Sequence, residues 1–132
     1  MKVGLIYEKQ SGQIVMNVVA PDEESIHLQK IGRDDLESII GLELDGREFY
    51  IENGSHRPRP EMGISVQGEV YLSVGEVLRV DGIPAGTDVV YPGGRAKVDD
   101  GYIEWSTNEP GQYYFKFSNF PAKEVEINAI VG

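Results

Sequence analysis

The chain has 132 residues, of which 40% are hydrophobic and 26% are charged, a composition typical of a folded globular protein. Twelve Lys and Arg against 22 Asp and Glu give a formal net charge of −10, which repels phosphate backbones and argues against nucleic acid as a partner. The lack of cysteine excludes disulfides, a thiolate nucleophile and Cys-based metal sites. The acidity fits simple solubility or, alternatively, a basic partner surface.

The N-terminal residues do not have the pattern of a signal peptide, because Glu8 falls where such a peptide is still apolar. No stretch approaches the roughly 20 apolar residues of a membrane span. We therefore expect synthesis in the cytoplasm and no membrane insertion.

The first elements predicted along the chain are β-strands. Polar and apolar residues alternate over residues 2–8, a turn follows at Ser11-Gly12, and a second apolar run covers residues 14–20. This pattern predicts a β-hairpin. Residues 26–31 alternate again, which predicts a third strand.

Residues 32–41 form the one predicted helix. Asp34 or Asp35 can cap the backbone donors of its first turn, and apolar residues recur at spacings of three and four. Together with Glu37, these aspartates also offer paired carboxylates for acid–base catalysis. Negative charge at a helix start interacts favourably with the helix dipole, and we therefore interpret the aspartates as caps.

A second hairpin is predicted after the helix. Strands at residues 42–44 and 48–51 flank an Asp45-Gly46 turn, and another turn follows at Asn53-Gly54.

The clearest linker in the chain is Ser55–Pro60. Its two prolines fix φ and remove backbone donors, and each pushes the preceding residue toward an extended conformation. We therefore expect two domains, residues 1–58 and residues 61–132.

The C-terminal part contains short apolar runs at nearly even spacing, separated by turns rich in Gly, Pro and Asp. This pattern predicts a β-sandwich or barrel, and the lack of crossover helices excludes a parallel α/β architecture. The expected fold class is all-β, with a β-rich N-terminal unit that contains one short helix. The predicted C-terminal strands are residues 63–67, 69–74, 76–80, 88–91, 95–98, 102–105, 112–118 and 125–129.

Each late strand carries large apolar side chains on one face and polar side chains on the other. Burial of one such side chain contributes roughly 1.5–3 kcal/mol, which makes the apolar set the expected core. Its members are Ile103, Trp105, Tyr113, Phe115, Phe117, Val125, Ile127 and Ala129.

Few residues offer catalytic chemistry. Neither His27 nor His56 has a serine or second histidine at the spacing of a hydrolase or metal motif, and His27 is expected to face solvent. Asp99-Asp100-Gly101 with Glu104 lacks the alternating oxygen ligands of a calcium loop, which favours a β-turn. We expect no catalytic residue, cofactor or metal site, and no enzymatic activity.

Three tyrosines, Tyr91, Tyr102 and Tyr114, are predicted to face away from the core. Tyrosine is favoured at contact surfaces. Three interpretations remain open: cross-strand packing against a second sheet, a protein interface, and a platform that stacks on sugars.

Two parts of the chain resemble small proteins from the tail region of tailed bacteriophages. Residues 49–60 resemble a segment in which a strand ends in an Asn-Gly turn followed by an Arg-Pro pair. Residues 81–87, 98–104 and 109–115 resemble the Ig-like modules of phage tail and fibre proteins, in which Pro-Gly-x-Tyr opens a late strand. The resemblance implies an Ig-like β-sandwich over residues 61–132.

The same resemblance implies a virion structural protein of the tail, tail-fibre or baseplate region. Such a protein binds other virion proteins, forms a homo-oligomer, and is located in the virion after synthesis in the bacterial cytoplasm. Alternatives are a carbohydrate-binding module that attaches to a host-surface glycan, a capsid decoration protein and an assembly chaperone. The candidate interface residues are Arg57, Arg59, Tyr91, Tyr102 and Tyr114.

Overall fold

A computed structural model of the chain describes residues 1–132 and contains twelve β-strands and one short α-helix. The predicted all-β fold class is confirmed. The chain divides into two compact units, which are unit 1 (Met1–Arg59) and unit 2 (Pro60–Gly132). It stays a prediction that residues 1–58 and 61–132 fold as separate domains.

Unit 1 is built on a three-stranded antiparallel sheet. Strand β1 (Lys2–Glu8) lies between β2 (Ile14–Ala20) and β3 (Leu36–Ile40). The predicted hairpin of β1 and β2 is confirmed, with a register shift between Ile6 and Tyr7 that marks a β-bulge.

The helix of unit 1 lies in a different place from the predicted one. Helix α1 (Glu23–His27) and one 3₁₀ turn (Leu28–Lys30) replace most of the predicted third strand, whereas β3 replaces part of the predicted helix. Both predictions are therefore wrong. The reason is that β1 pairs along the whole of β3 on the side away from β2, which requires an extended backbone there.

The helix cap is also a different aspartate. The Asp22 side chain accepts a hydrogen bond from the Ser25 backbone N at 2.8 Å, which satisfies one of the unpaired donors at the start of α1. No helix starts at Asp34 or Asp35, and Asp35 forms an exposed ion pair with Arg33.

A second hairpin in unit 1 consists of β4 (Phe49–Glu52) and β5 (Ser55–Pro58). The Asn53-Gly54 loop has φ values of 51° and 76°, the left-handed conformation that a type I′ turn requires, and this predicted turn is confirmed. The predicted linker is wrong for Ser55–Pro58. Proline is tolerated on an edge strand, and this segment pairs with β4 along its length. Residues 42–45, part of a predicted strand and turn, are irregular.

Both faces of β1 are covered. The neighbouring residues Leu5 and Ile6 point to opposite faces of the sheet, yet both have 0% of their surface exposed. The two small clusters on either side consist of Leu5 with Ile14 and Ile51, and of Ile6 with Ala20, Ile26 and Leu36.

Unit 2 contains seven strands in two sheets. The five-stranded sheet has the order β6-β12-β11-β8-β9, and the two-stranded sheet pairs β10 with β7. Every pair is antiparallel except β6 with β12. The strands are β6 (Gly68–Leu72), β7 (Leu78–Asp81), β8 (Thr87–Tyr91), β9 (Gly94–Val98), β10 (Tyr102–Trp105), β11 (Gly111–Ser118) and β12 (Val125–Val131).

The strand order of unit 2 is that of an immunoglobulin-like sandwich. In chain order, β7 to β12 take the places of strands B, C, C′, E, F and G, so that G, F, C and C′ form one sheet while B and E lie in the other. The strand predicted at residues 63–67 is irregular, although the Ser65 backbone N donates to Asp81 O of β7 at 3.0 Å. The predicted core is confirmed, with Phe115, Phe117 and Ile127 fully or nearly fully buried between the sheets.

A tyrosine corner opens strand β11. The Tyr113 hydroxyl donates a hydrogen bond to the backbone O of Glu109, four residues upstream, at 2.8 Å. This bond closes the turn between β10 and β11, the place where immunoglobulin-like domains have such a corner. The Trp105 ring packs beside it, with its centroid 4.9 Å from that of Tyr113 and 5.2 Å from that of Phe115.

Candidate interaction surfaces

The two candidate arginines of unit 1 have different environments. Arg57 is exposed on β5, opposite Tyr50 of β4. Arg59 is buried, and its Nη1 donates to the backbone O of Gly46 at 3.1 Å while its backbone N donates to Glu48 O at 2.7 Å. Arg59 therefore fastens the end of the β4–β5 hairpin to the preceding loop and does not present its charge to solvent.

The three candidate tyrosines of unit 2 lie on three different surfaces. Tyr91 is half-buried against the core, contrary to the expectation that it faces away. Tyr102 is exposed on β10, where the Arg79 guanidinium lies 4.3 Å from the centre of its ring. Tyr114 is exposed on the outer face of the five-stranded sheet. The structure does not bring these tyrosines together.

Two exposed tyrosines lie at one end of the outer side of the five-stranded sheet, on a surface of β6, β12 and β11 here called the tyrosine face. Tyr71 of β6 is opposite Ile130 of β12, and Tyr114 of β11 is opposite Asn128 of β12 in the next row. Tyr71 is 71% exposed and Tyr114 is 48% exposed. Glu69 and Gln112 complete this surface. The sequence reasoning missed Tyr71, although the inward-facing Val70 and Leu72 on either side of it indicate that it faces outward.

Both tyrosine hydroxyls on this face bind carboxylates. The Tyr71 hydroxyl donates to Glu69 Oε2 at 3.0 Å, and this hydrogen bond raises the pKa of Tyr71 above its ordinary value of 10.0. A side-chain hydrogen bond with Glu126 likewise raises the pKa of Tyr114. The rings therefore present their apolar faces together with neutral, oriented hydroxyls, the combination that suits tyrosine to contact surfaces.

The other end of the same sheet face is basic. Unit 2 has five Lys and Arg in total, and three of them form a basic patch: Arg95 and Lys97 lie on β9, and Lys116 lies on β11, on the other side of β8. They line a surface depression whose floor includes Val90. Lys97 Nζ lies 3.8 Å from Asp88 Oδ1, whereas Arg95 and Lys116 form no ion pair. Sequence reasoning did not identify this patch, because it requires the pairing of β8 with both β9 and β11.

One side of the unit 2 sandwich is open. Strand β9 pairs only with β8, and β10 pairs only with β7, so both strands have a free backbone edge. A cleft of about 210 Å³ lies between the sheets here and is lined mainly by apolar side chains of β8, β9, β10 and β11, together with Glu104. Its lining includes Tyr91, Ala96, Ile103 and Trp105.

Two of the residues considered for metal or catalytic chemistry, Asp99 and His27, form side-chain hydrogen bonds within the fold. Asp99 Oδ1 accepts a hydrogen bond from Gly86 N at 2.9 Å, and His27 Nδ1 shares a hydrogen bond with Ser38 Oγ at 2.7 Å while remaining exposed to solvent. No three His, Asp or Glu side chains converge in an arrangement that would hold a metal ion. None of the helices has both the length and the apolar character needed to cross a bilayer.

Comparison with protein-family models, with curated proteins and with solved structures finds no match to this chain.

Proposed function

We propose that this chain is a structural protein of a tailed-bacteriophage particle, in the tail, tail-fibre or baseplate region, and that it works by binding neighbouring proteins. The observation that carries the binding role is the tyrosine face. This regular sheet surface exposes two tyrosines in adjacent rows, with the half-buried Ile130 opposite Tyr71, and so offers apolar area for a contact. Tyrosine is enriched in interface centres, and residues of this kind often dominate the binding energy.

The phage context is supported by two sequence features with a defined structural role. The Asn53-Gly54 turn joins two strands in the segment that resembles phage tail-region proteins. The Pro110-Gly111-Gln112-Tyr113 segment, which resembles the late-strand opening of phage Ig-like modules, forms the tyrosine corner. The support that they give the proposal is the resemblance of the two segments and the local structure that each segment forms.

The first test is the identity of the genes beside the coding sequence. The proposal expects them to encode tail, fibre or baseplate proteins, and neighbours that encode metabolic enzymes would count against it. Each neighbouring product is then co-expressed with the tagged chain, and complex formation is measured by co-purification and light scattering.

The same assay locates the contact. A Tyr71→Glu/Tyr114→Glu variant places two charges on the tyrosine face, and we expect it to lose the complex. Val77→Glu is the matched control, because Val77 is an exposed apolar residue outside every strand of the five-stranded sheet. Fluorescence of the single tryptophan, Trp105, checks that both variants fold. A complex that survives the double substitution would assign the contact to another surface.

The main alternative, a carbohydrate-binding module, depends on the same two rings. Exposed tyrosines stack on sugars as well as on protein surfaces. A glycan array at millimolar sugar distinguishes a carbohydrate-binding module from a protein-binding one. If the chain binds a glycan and Tyr114→Ala loses that binding, the ligand of this face is a host glycan and not a protein. Particle imaging separates a tail protein from a capsid decoration protein, and mass spectrometry of purified virions separates both from an assembly chaperone.

A further inference from the structure

The open side of unit 2 is the place where an immunoglobulin-like sandwich usually has another strand. Only residues 99–101 connect β9 to β10, which is too short a segment to form a strand between them. As a result, the free edges of β9 and β10 both border the apolar cleft. Unpaired strand edges are templates for pairing with another chain unless they are covered or charged.

The backbone of β9 has a defined set of free groups. A two-residue turn at Pro92-Gly93 joins β8 to β9, and Tyr91 is paired with Gly94 at its base. In an antiparallel ladder, hydrogen-bonded pairs alternate with pairs whose backbone groups point the other way. Counting from the turn, the N–H and C=O groups of Arg95 and Lys97 point away from β8, toward the free edge.

The side chains of β9 divide by chemistry between its two faces. Ala96 faces the cleft and is exposed because neither sheet covers it. Arg95 and Lys97 project on the opposite face, which also carries Lys116 of β11 on the other side of β8. A strand that pairs here would place alternate side chains against a small apolar surface and against two cations.

A second copy of this chain does not fit the edge. If two β9 strands paired, Arg95 and Lys97 of one copy would lie against the same cations of the other, and like charges on opposing strands are destabilising. Lysine and arginine on edge strands are a known means of preventing such self-pairing. The complement of this edge is an acidic strand.

We propose that β9 is the acceptor for a strand from a partner protein, in which acidic side chains alternate with small or branched apolar ones. The acidic side chains contact Arg95 and Lys97, the apolar ones enter the cleft beside Ala96, and the backbone adds a sixth strand to the five-stranded sheet. This site is separate from the tyrosine face, so a test of strand addition at β9 does not depend on the proposed function.

The test uses the full chain and a capped octapeptide in which valine and glutamate alternate, with an otherwise identical valine–lysine peptide as the control. We expect the glutamate peptide to bind, the lysine peptide not to bind, and the largest amide chemical-shift changes in ¹H–¹⁵N spectra to fall on residues 94–98. Binding should weaken as salt is raised, because the charge pairs lie at the surface. Failure of the glutamate peptide to bind at millimolar concentration, or shifts confined to the tyrosine face, would overturn the proposal.

Three variants separate charge from backbone pairing. Arg95→Glu/Lys97→Glu should weaken binding of the glutamate peptide by about tenfold or more and allow the lysine peptide to bind. Lys97→Ala and Lys97→Pro both remove the same charge, but only Lys97→Pro also removes the edge N–H.

We expect Lys97→Ala to weaken binding several-fold and Lys97→Pro to abolish it. Equal affinities for these two variants would exclude strand addition. If Lys97→Pro does not fold, as judged from Trp105 fluorescence, the ¹H–¹⁵N mapping on the unsubstituted chain decides the question.

Discussion

The two units use the same alternating strand pattern to build different cores. In unit 2 the five-stranded sheet buries one face against β7 and β10 and leaves the other to solvent, so Phe115 is buried while its neighbour Tyr114 is exposed. In unit 1 both faces of β1 are covered, and Leu5 and Ile6 are both fully buried. Alternation therefore identifies a buried face only where a single layer covers the sheet.

The covering layers of unit 1 come from short elements. The side chain of Ile26, from a helix of only five residues, covers one face of β1, and Ile51 from the second hairpin covers the other. Two glycines permit this close packing. A Cβ on Gly4 would lie 2.8 Å from Ile39 O, and a Cβ on Gly12, whose φ is +80°, would lie 1.8 Å from Ile51 O.

The largest expected effects are losses of folding stability at core positions, and they depend on how two adjacent residues of one strand compare within each unit. In unit 2, Phe117→Ala should lower the free energy of unfolding by about 3–5 kcal/mol, whereas Lys116→Ala should change it by no more than about 0.5 kcal/mol. In unit 1, Leu5→Ala and Ile6→Ala should each lower the free energy of unfolding by about 2–5 kcal/mol, because both side chains are fully buried.

Denaturant titrations measure these changes separately in the two units. Trp105 fluorescence reports unfolding of unit 2, and the methyl resonances of Ile26 and Ile51 report the two faces of the unit 1 sheet. A small effect of either unit 1 substitution would mean that one face of β1 is open in solution.

An effect of intermediate size is expected at the tyrosine corner. Tyr113→Phe keeps the ring packed against Trp105 but removes the hydroxyl that donates to Glu109 O. We expect a loss of about 1 kcal/mol in the stability of unit 2, the usual net contribution of one hydrogen bond. Tyr114→Phe is the matched control, since its hydroxyl binds an exposed glutamate on the sheet surface; an equal loss in both variants would show that the corner has no special role.

The smallest expected effect is a change in the pH dependence of unit 1. The hydrogen bond from Ser25 N lowers the pKa of Asp22 below its ordinary value of 3.8 in the folded state. The ionised cap therefore stabilises unit 1 fully above about that pH, and its contribution is lost as the pH falls through the lower, folded-state pKa. Asp22→Asn retains a capping side chain but does not titrate.

Unfolding followed by the Ile26 methyl resonance at a series of pH values from 7 to 3 measures this contribution. We expect Asp22→Asn to be slightly less stable than the unsubstituted chain at neutral pH and to approach it as the pH falls. Parallel stability curves for the two proteins would contradict the cap.

Prediction from the sequence succeeded where a signal was local. The Asn53-Gly54 turn and the core face of β11 and β12 were predicted because a type I′ turn and a one-sided strand each depend on neighbouring residues. The helix was misplaced because its local signals conflict. Pro21-Asp22 followed by two glutamates is a helix start, and Ile39-Ile40 is a β-branched pair that favours a strand, yet residues 26–31 and 32–41 also carry the opposite periodicities.

The candidate surfaces were less accessible to sequence reasoning than the fold. Alternation could have identified Tyr71, and it did identify Tyr114. It could not show that Tyr71 and Tyr114 lie in adjacent rows, because this depends on the parallel pairing of β6 with β12. Nor could it show that Arg59 is buried, since the acceptor on Gly46 is thirteen residues away along the chain.

The sequence by itself determined the β class, the turns and the inward face of the late strands, because these follow from backbone preferences and side-chain periodicity over a few residues. Only the tertiary structure decided which strands became edges, that both faces of β1 are covered, and which tyrosines and cations share one face of the five-stranded sheet. Those outcomes depend on pairings between residues far apart in the chain, and the local pattern is compatible with more than one of them.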